Sequence, residues 1–278
     1  MTIHLWQGVI IFSAAFAAGM MNSVAGGGTL LTFPALIWMG IDPKAANVTS
    51  TIALWPGSLG GMVGYRRELR NSRRFMLWLA PPSVAGGLVG ALLLLKTPSS
   101  TFAAIVPFLI LFATILFAVG EPLMRWLRRQ NRQMQQAALA TKVSTNEADQ
   151  LPGAMDEPGR AWWTGAIILQ FFSATYGGYF GAGNGIVMLA VLSLLGLTDI
   201  HQMNGLKNFF AVCINVIASF YFILYGPVHW PAALVMTIGA IAGGYGGAGL
   251  ARRMGRRFAR GAVIFIGLAM TLSLLFRR

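Results

Sequence analysis

The stretch AGGGTLLTFPALIWMGIDPKAANVTST (25–51) decides the fold, because it places three consecutive glycines between apolar segments of unequal length. The segment before the glycines, 5–21, continues the apolar start of the chain. The segment after them, 29–40, is too short to span about 30 Å of hydrocarbon at 1.5 Å per residue. Since glycine lets the chain turn back, we predict a helical hairpin broken at membrane depth, with 29–40 as a half-helix.

Composition extends this interpretation to the whole chain. Of its 278 residues, 56% are hydrophobic and only 10% are charged, whereas a soluble domain carries about 25% charged residues. Further apolar segments follow, at 47–64, 75–95, 100–120, 161–177, 185–197, 205–225, 230–251 and 258–276. We therefore predict an all-α polytopic membrane protein in the lipid bilayer.

The net charge of +13 is concentrated between the apolar segments, in the clusters 65–74, 125–132 and 252–260. Nucleic-acid binders spread such charge over a folded face, so nucleic acid is excluded as a partner. Basic loops instead orient helices with the loops in the cytoplasm. The histidines are scattered and no carboxylate pair or nucleophile motif is present, so we expect no metal, no other cofactor and no enzyme activity.

The segment order repeats after a polar break. The stretch GAGNGIVMLAVLSLLGLTDIHQMNGLKN (181–208) aligns with the opening stretch if one residue is inserted after Gly196. We therefore divide the chain into a first transmembrane repeat (1–127), a cytoplasmic and partly disordered linker (128–160) and a second transmembrane repeat (161–278), called the first and second halves below. The pairs in this alignment include Gly27 with Gly183, Gly40 with Gly196, Asn47 with Asn204, Ser50 with Lys207, and Thr51 with Asn208.

The basic loops also predict that the two repeats are inverted. With 65–74, the linker and 252–260 in the cytoplasm, segment 47–64 runs from outside to inside. Its counterpart 205–225 then runs from inside to outside. Each repeat has a glycine-broken hairpin followed by three transmembrane helices, and repeats of this kind form substrate sites near the midplane, at their interface.

Polar residues beside the glycine breaks are the candidates for that site, because polar groups inside membrane spans are costly. Lys207 is flanked by two asparagines that together can replace the hydration shell of an anion, and free backbone amides at a helix start can face the same anion. The predicted substrate-binding residues are Asn22, Gly26, Gly27, Gly28, Asn47, Ser50, Thr51, Gly183, Asn184, Asn204, Lys207 and Asn208.

Each of these assignments has a structural alternative. Small residues spaced four apart, as at Gly177, Gly181 and Gly185, also permit close helix packing. Lys207 can snorkel to the interface, and serine or threonine can bond to carbonyls of its own helix. Asn22 can be a helix-end cap. We expect Asp42 and Asp199, which follow the half-helices, to cap the next helix or to lie in the interface.

The glycine turn and the residues after it resemble the sulfite exporter TauE/SafE family, also called the 4-toluene sulfonate uptake permease family. The residues that carry the resemblance keep the family's order: Gly26, Gly27, Gly28, Pro34, Gly40, Pro43, Ala46 and Asn47. The second half departs from the pattern, since Ala190 stands opposite Pro34 and Asn184 interrupts the glycines. The resemblance implies a two-repeat helical permease for small sulfur-containing or organic anions in a bacterial cytoplasmic membrane.

Two function classes stay open. The first is an alternating-access permease with a small anionic substrate, in which export can be driven by the membrane potential, at about 2.3 kcal/mol per charge per 100 mV. The second is a non-transporting membrane scaffold subunit that binds partners through its basic loops. The sequence leaves open the anion, the direction of transport, the coupling ion and the oligomeric state, a homodimer included.

Overall fold

A computed structural model of the chain describes residues 5–24, 26–70, 72–144, 160–254 and 256–276, and within these ranges it is built from helices without strands. Four helical spans are long and apolar enough to cross a membrane: Leu5–Asn22, Arg73–Lys96, Ser99–Trp126 and Ile200–Tyr225. The predicted fold class, an all-α polytopic membrane protein, is confirmed. The helices are α1 (Leu5–Val24), α2 (Thr29–Trp38), α3 (Pro43–Gly64), α4 (Arg66–Arg70), α5 (Arg73–Lys96), α6 (Ser99–Ser144), α7 (Arg160–Tyr179), α8 (Asn184–Leu194), α9 (Ile200–Tyr225), α10 (Trp230–Met254) and α11 (Arg256–Phe276).

The two predicted half-helices are present as α2 and α8, with 10 and 11 residues. At 1.5 Å per residue each is about 15 Å long, or half the hydrocarbon thickness. Both end at a glycine with positive φ, Gly40 at 80° and Gly196 at 75°. In each case the amides of the glycine and of the next residue bond back to the last turn, as in a Schellman motif.

The helix after each half-helix begins in the same way in both halves. Asp42 accepts hydrogen bonds from the amides of Lys44 and Ala45 at the start of α3. Asp199 accepts from the amide of His201 at the start of α9, at 2.9 Å. The aspartates thus satisfy backbone donors that the first turn of a helix leaves without partners, as expected from the sequence.

Helix packing follows the repeat order. α1 packs on α10 and its counterpart α7 packs on α5, while α3 packs on α10 and α9 packs on α5. Each half-helix also contacts the last helix of the other half, α2 with α11 and α8 with α6. The helices α3 and α9 meet between the halves. Each of these contacts therefore has a counterpart in which the two halves are exchanged. The inversion of the two halves across the bilayer stays a prediction.

Two segments differ from the sequence-based segmentation. The basic loop 65–74 contains the short helix α4, and α6 continues well past 120, through the first part of the predicted linker. Residues 128–144 are rich in arginine, glutamine and alanine, which are good helix formers, so the helix persists after the apolar pattern stops. The rest of the linker, 145–159, lies outside the described residues, and its cytoplasmic location stays a prediction.

The glycine clusters outside the two breaks, within 57–60, 86–90 and 243–244, serve close helix packing. A Cβ placed on Gly90 of α5 would overlap the carbonyl oxygen of Thr175 in α7. In the equivalent pair of helices, a Cβ on Gly243 of α10 would overlap the carbonyl oxygen of Phe16 in α1. The glycines thus let the backbones approach more closely than any side chain allows.

We predict that Gly90→Ala destabilises the protein and that Gly165→Ala does not. The added methyl group at Gly90 meets backbone, at an expected cost of about 1–3 kcal/mol. A methyl group at Gly165 meets no atom within 4 Å, so the better helix propensity of alanine should leave stability unchanged or raise it by about 1 kcal/mol. Apparent melting temperatures of both variants in one detergent test this, and equal values would contradict the packing role.

Candidate functional site

The two glycine breaks touch each other at the interface between the halves. Gly26 has a φ of 79°, and a Cβ placed on it would lie 3.0 Å from the Cα atom of Gly185. Gly27, Gly181 and Gly183 also have positive φ values, which side-chain-bearing residues rarely adopt. The chain therefore reverses direction twice at one place, with backbone facing backbone.

A cavity of about 60 Å³ lies at this contact. Since one water needs about 10–15 Å³ by this measure, the cavity holds a few waters or one small solute. Seven of the predicted site residues line it: Asn22, Gly26, Gly27, Thr51, Asn184, Lys207 and Asn208. Outside the predicted set, the lining includes Thr29, Leu54, Ser58, Gly177, Phe180, Gly181, Gly185, Met188, Ala211, Ile214 and Asn215.

The two halves contribute equivalent positions to the cavity. Thr51, Leu54 and Ser58 lie on one face of α3, and their counterparts in the repeat alignment lie on α9. These counterparts are Asn208, Ala211 and Asn215, at the same spacing of three and four residues. That spacing places side chains on one helix face, so extending the alignment by two helical turns would have identified Ser58 and Asn215 from the sequence.

The remaining predicted residues lie behind the walls of the cavity. Gly28 donates its amide to Asn22 Oδ1 at 2.8 Å, and Gly183 precedes α8 and faces Ala113 of α6. The hydroxyl groups of Ser50 and Thr32 share a hydrogen bond of 2.6 Å, which links α3 to α2.

The two aligned asparagines are likewise not part of the lining. Asn47 donates from Nδ2 to the carbonyl oxygen of Tyr179 at 2.8 Å. Asn204 is buried, and its Oδ1 has no hydrogen-bond partner among the described residues. The structure thus gives Gly28, Gly183, Ser50 and Asn47 contacts that support the walls.

Lys207 is buried, with 2% of its surface exposed. Its Nζ atom donates to the carbonyl oxygen of Asn22, near the end of α1, at 3.1 Å. This geometry rules out the snorkelling alternative, because the amine points to the interior of the protein. The end of a helix carries partial negative charge and unpaired carbonyl groups, which favour a cation there. Lys207 therefore brings a positive charge to the cavity wall and caps a broken helix.

Two asparagines connect a long helix with the half-helix that follows it. Asn22 of α1 accepts from the amide of Gly28, so it is a helix-end cap and also part of the cavity wall. Asn184 of α8 accepts a hydrogen bond from Ser173 Oγ of α7 at 2.8 Å. Asn22 aligns with Gly178, and Gly28 aligns with Asn184, so the asparagine and the glycine have exchanged places between the halves.

Asn208 carries the strongest sign of a ligand. The residue is 1% exposed and lines the cavity, and its Nδ2 donor has no hydrogen-bond partner among the described residues. A buried donor without a partner costs about 1–3 kcal/mol. An acceptor on a bound molecule would remove this cost, and the nearby charge of Lys207 favours an anion. Thr51 is less available, because its hydroxyl donates to the carbonyl oxygen of Asn47 in its own helix.

The described residues contain no group of three or more histidine, cysteine, aspartate or glutamate side chains that could hold a metal ion. The cavity is instead lined by residues with amide, hydroxyl and ammonium groups, by glycines and by apolar side chains, which are Leu54, Phe180, Met188, Ala211 and Ile214. Such a set can bind an anion by hydrogen bonds and charge without a metal.

Comparison with known proteins gives one family over nearly the whole chain. The model of the sulfite exporter TauE/SafE family matches residues 11–274. A probable membrane transporter protein of Sinorhizobium is 27% identical over 95% of this chain and 91% of its own length. One from Haemophilus influenzae is 27% identical over 96% and 94%, and the probable membrane transporter YfcA of Escherichia coli K12 is 26% identical over 96% and 89%. No solved structure matches the chain.

We predict that Asn208→Leu and Asn47→Leu change stability in different directions. Leucine at 208 removes a buried donor without a partner, so the ligand-free protein should keep its stability or gain about 1 kcal/mol. Leucine at 47 also removes a buried acceptor, Oδ1, that has no partner among the described residues, but it leaves the carbonyl group of Tyr179 without its donor. The loss of that hydrogen bond costs about 1–3 kcal/mol, so this variant should lose stability. Melting temperatures of the two ligand-free variants measure this difference. An equal loss in both would show that the amide of Asn208 is already satisfied.

Proposed function

This chain belongs to the sulfite exporter TauE/SafE family, and from that membership we propose that it is a secondary permease for small sulfur-containing or organic anions, such as sulfite or sulfonates. It is a multi-pass membrane protein whose relatives are named probable membrane transporters. We further propose that it resides in the bacterial cytoplasmic membrane, with the basic loops on the cytoplasmic side.

The observation that carries the proposal is the cavity between the two glycine breaks. There, Lys207 and Asn208 line a space of about 60 Å³, and the Nδ2 donor of Asn208 has no hydrogen-bond partner among the described residues. Desolvation of an anion is costly, and these donors replace part of its hydration shell. The cavity also lies between equivalent residues of the two halves, which is where repeat-built transporters bind their substrates.

In the proposed mechanism the two halves rock about the contact between Gly26 and Gly185, and they expose the cavity to one side of the membrane at a time. Glycines suit this contact because no side chains interlock there. The charge of Lys207 offsets the charge of the anion while both are inside the membrane. For export, a negative cell interior contributes about 2.3 kcal/mol per charge per 100 mV.

We predict that the purified protein in liposomes mediates flux of sulfite or a sulfonate without any added partner. Outward flux of the anion should increase when the interior is made negative, because each transported charge then moves down the potential. Flux is measured against liposomes without protein. A scaffold subunit would show no flux above that control, and dependence on a sodium or proton gradient would assign the protein to coupled uptake.

We predict that Lys207→Met lowers anion flux at least about tenfold, since a hydrogen bond to a charged group contributes about 1.5–3 kcal/mol. The matched control is Lys44→Met. Lys44 is also buried and its Nζ also donates to a carbonyl oxygen, that of Leu95 at 3.1 Å, but it does not line the cavity. Its variant should keep its flux.

Anion-induced thermal stabilisation provides the second measurement, because a ligand that binds only the folded state raises the melting temperature. The shift should disappear in Lys207→Met and persist in Lys44→Met. If the wild-type protein transports the anion and both variants do so equally, the permease proposal stands and the assignment of the site is wrong.

A further inference from the structure

A second cavity, far less polar, lies on the outer face of α5. It is a groove of about 670 Å³, and Phe209 of α9 forms its other wall. The residues of α5 that line it follow the three- and four-residue spacing of one helix face: Arg73, Met76, Leu77, Ala80, Pro81, Val84 and Ala85. This face is open to the surroundings, since Leu77 is 66% exposed.

The length of the groove matches one leaflet of a bilayer. From Arg73 to Ala85 the helix rises about 18 Å, at 1.5 Å per residue. One leaflet contributes about 15 Å, which is half of the hydrocarbon core. An extended acyl chain therefore fits along the groove from its charged end to near the midplane.

One end of the groove is cationic and the rest is apolar. Arg73 lies at that end, and in the sequence it follows the exposed arginines 66, 67 and 70 of the basic loop. The guanidinium group of Arg74 stacks 5.4 Å from the ring centroid of Trp163, which also packs against Trp78. Tryptophans and arginines gather where the hydrocarbon meets the headgroups, so this end lies at headgroup level.

We propose that the groove is a binding site for an anionic phospholipid, with one acyl chain along α5 and the phosphate group on Arg73. A neutral zwitterionic lipid could fill the apolar part but would gain less from the arginines. A flat helix face would bind any lipid transiently, whereas a groove with a cation at one end selects chain and headgroup together. This site is separate from the anion cavity and does not depend on the proposed transport function.

Native mass spectrometry of the detergent-purified protein tests the proposal, with phosphatidylglycerol and phosphatidylcholine as the added lipids. The wild-type protein should retain phosphatidylglycerol in preference to phosphatidylcholine. Arg73→Gln should reduce that preference about fivefold, the effect expected of one basic residue at an anionic surface. Arg67→Gln is the matched control, because it removes the same charge from the basic loop outside the groove, and it should reduce the preference much less.

A second variant tests the apolar part of the site. Val84→Trp fills the groove and should lower retention of both lipids, while folding is verified by a monodisperse size-exclusion peak and an unchanged helix content by circular dichroism. Equal retention of the two lipids by the wild-type protein would overturn the proposal. So would an equal effect of Arg67→Gln and Arg73→Gln. If the wild-type protein forms a dimer and Val84→Trp abolishes it without loss of lipid, the groove is an interface between two copies and the proposal is overturned.

Discussion

The structure depends on how the backbone groups released at the two helix breaks are satisfied inside the membrane. Where a helix ends in apolar surroundings, its last carbonyl groups must find donors within the protein. The carbonyl group of Asn22 near the end of α1 accepts from Lys207, and that of Tyr179 at the end of α7 accepts from Asn47. Each donor comes from the opposite half. Neither break is therefore complete within its own half, and the two halves must assemble around the place where both chains reverse.

The same requirement explains why the site is polar at the contact and apolar elsewhere. Because glycines have no side chains, Gly26 and Gly185 can approach each other closely at the two breaks. The side chains of two unbroken helices would pack against each other here, whereas the breaks leave backbone and a cavity. The donors that hold the broken ends then lie beside that cavity. Large aromatic residues, including Phe33 and Phe180, which pack edge to face with centroids 5.6 Å apart, cover the surroundings. Structural capping and the proposed ligand binding thus draw on neighbouring groups of α3 and α9.

The sequence predicted the helices and their ends better than it predicted which side chains contact each other across the two halves. The short segments after the glycines and the aspartates that follow them predicted α2, α8 and the starts of α3 and α9, because these features depend on local rules of length and capping. The repeat alignment also gave one pair that lines the cavity from both halves, Thr51 with Asn208. It did not separate Lys207, which lines the cavity, from Asn47, which lies behind it, because the partner of Asn47 is 132 residues away. Contacts of that range depend on how helices rotate in the assembly, and one sequence does not encode this in a local pattern.

The two halves contribute different side chains to the cavity, and this asymmetry is where we expect selectivity to arise. At paired positions of the cavity the second half has the larger donors, with Asn208 opposite Thr51 and Asn215 opposite Ser58. The charge of Lys207 is on the same helix, whereas the aligned Ser50 is bonded to Thr32. The first half instead contributes the turn of consecutive glycines that carries the family resemblance. Because three polar lining residues, Lys207, Asn208 and Asn215, lie on α9, we expect changes along this helix to alter the preferred anion of the proposed permease. We expect changes in the glycine turn of the first half to alter how closely the halves meet.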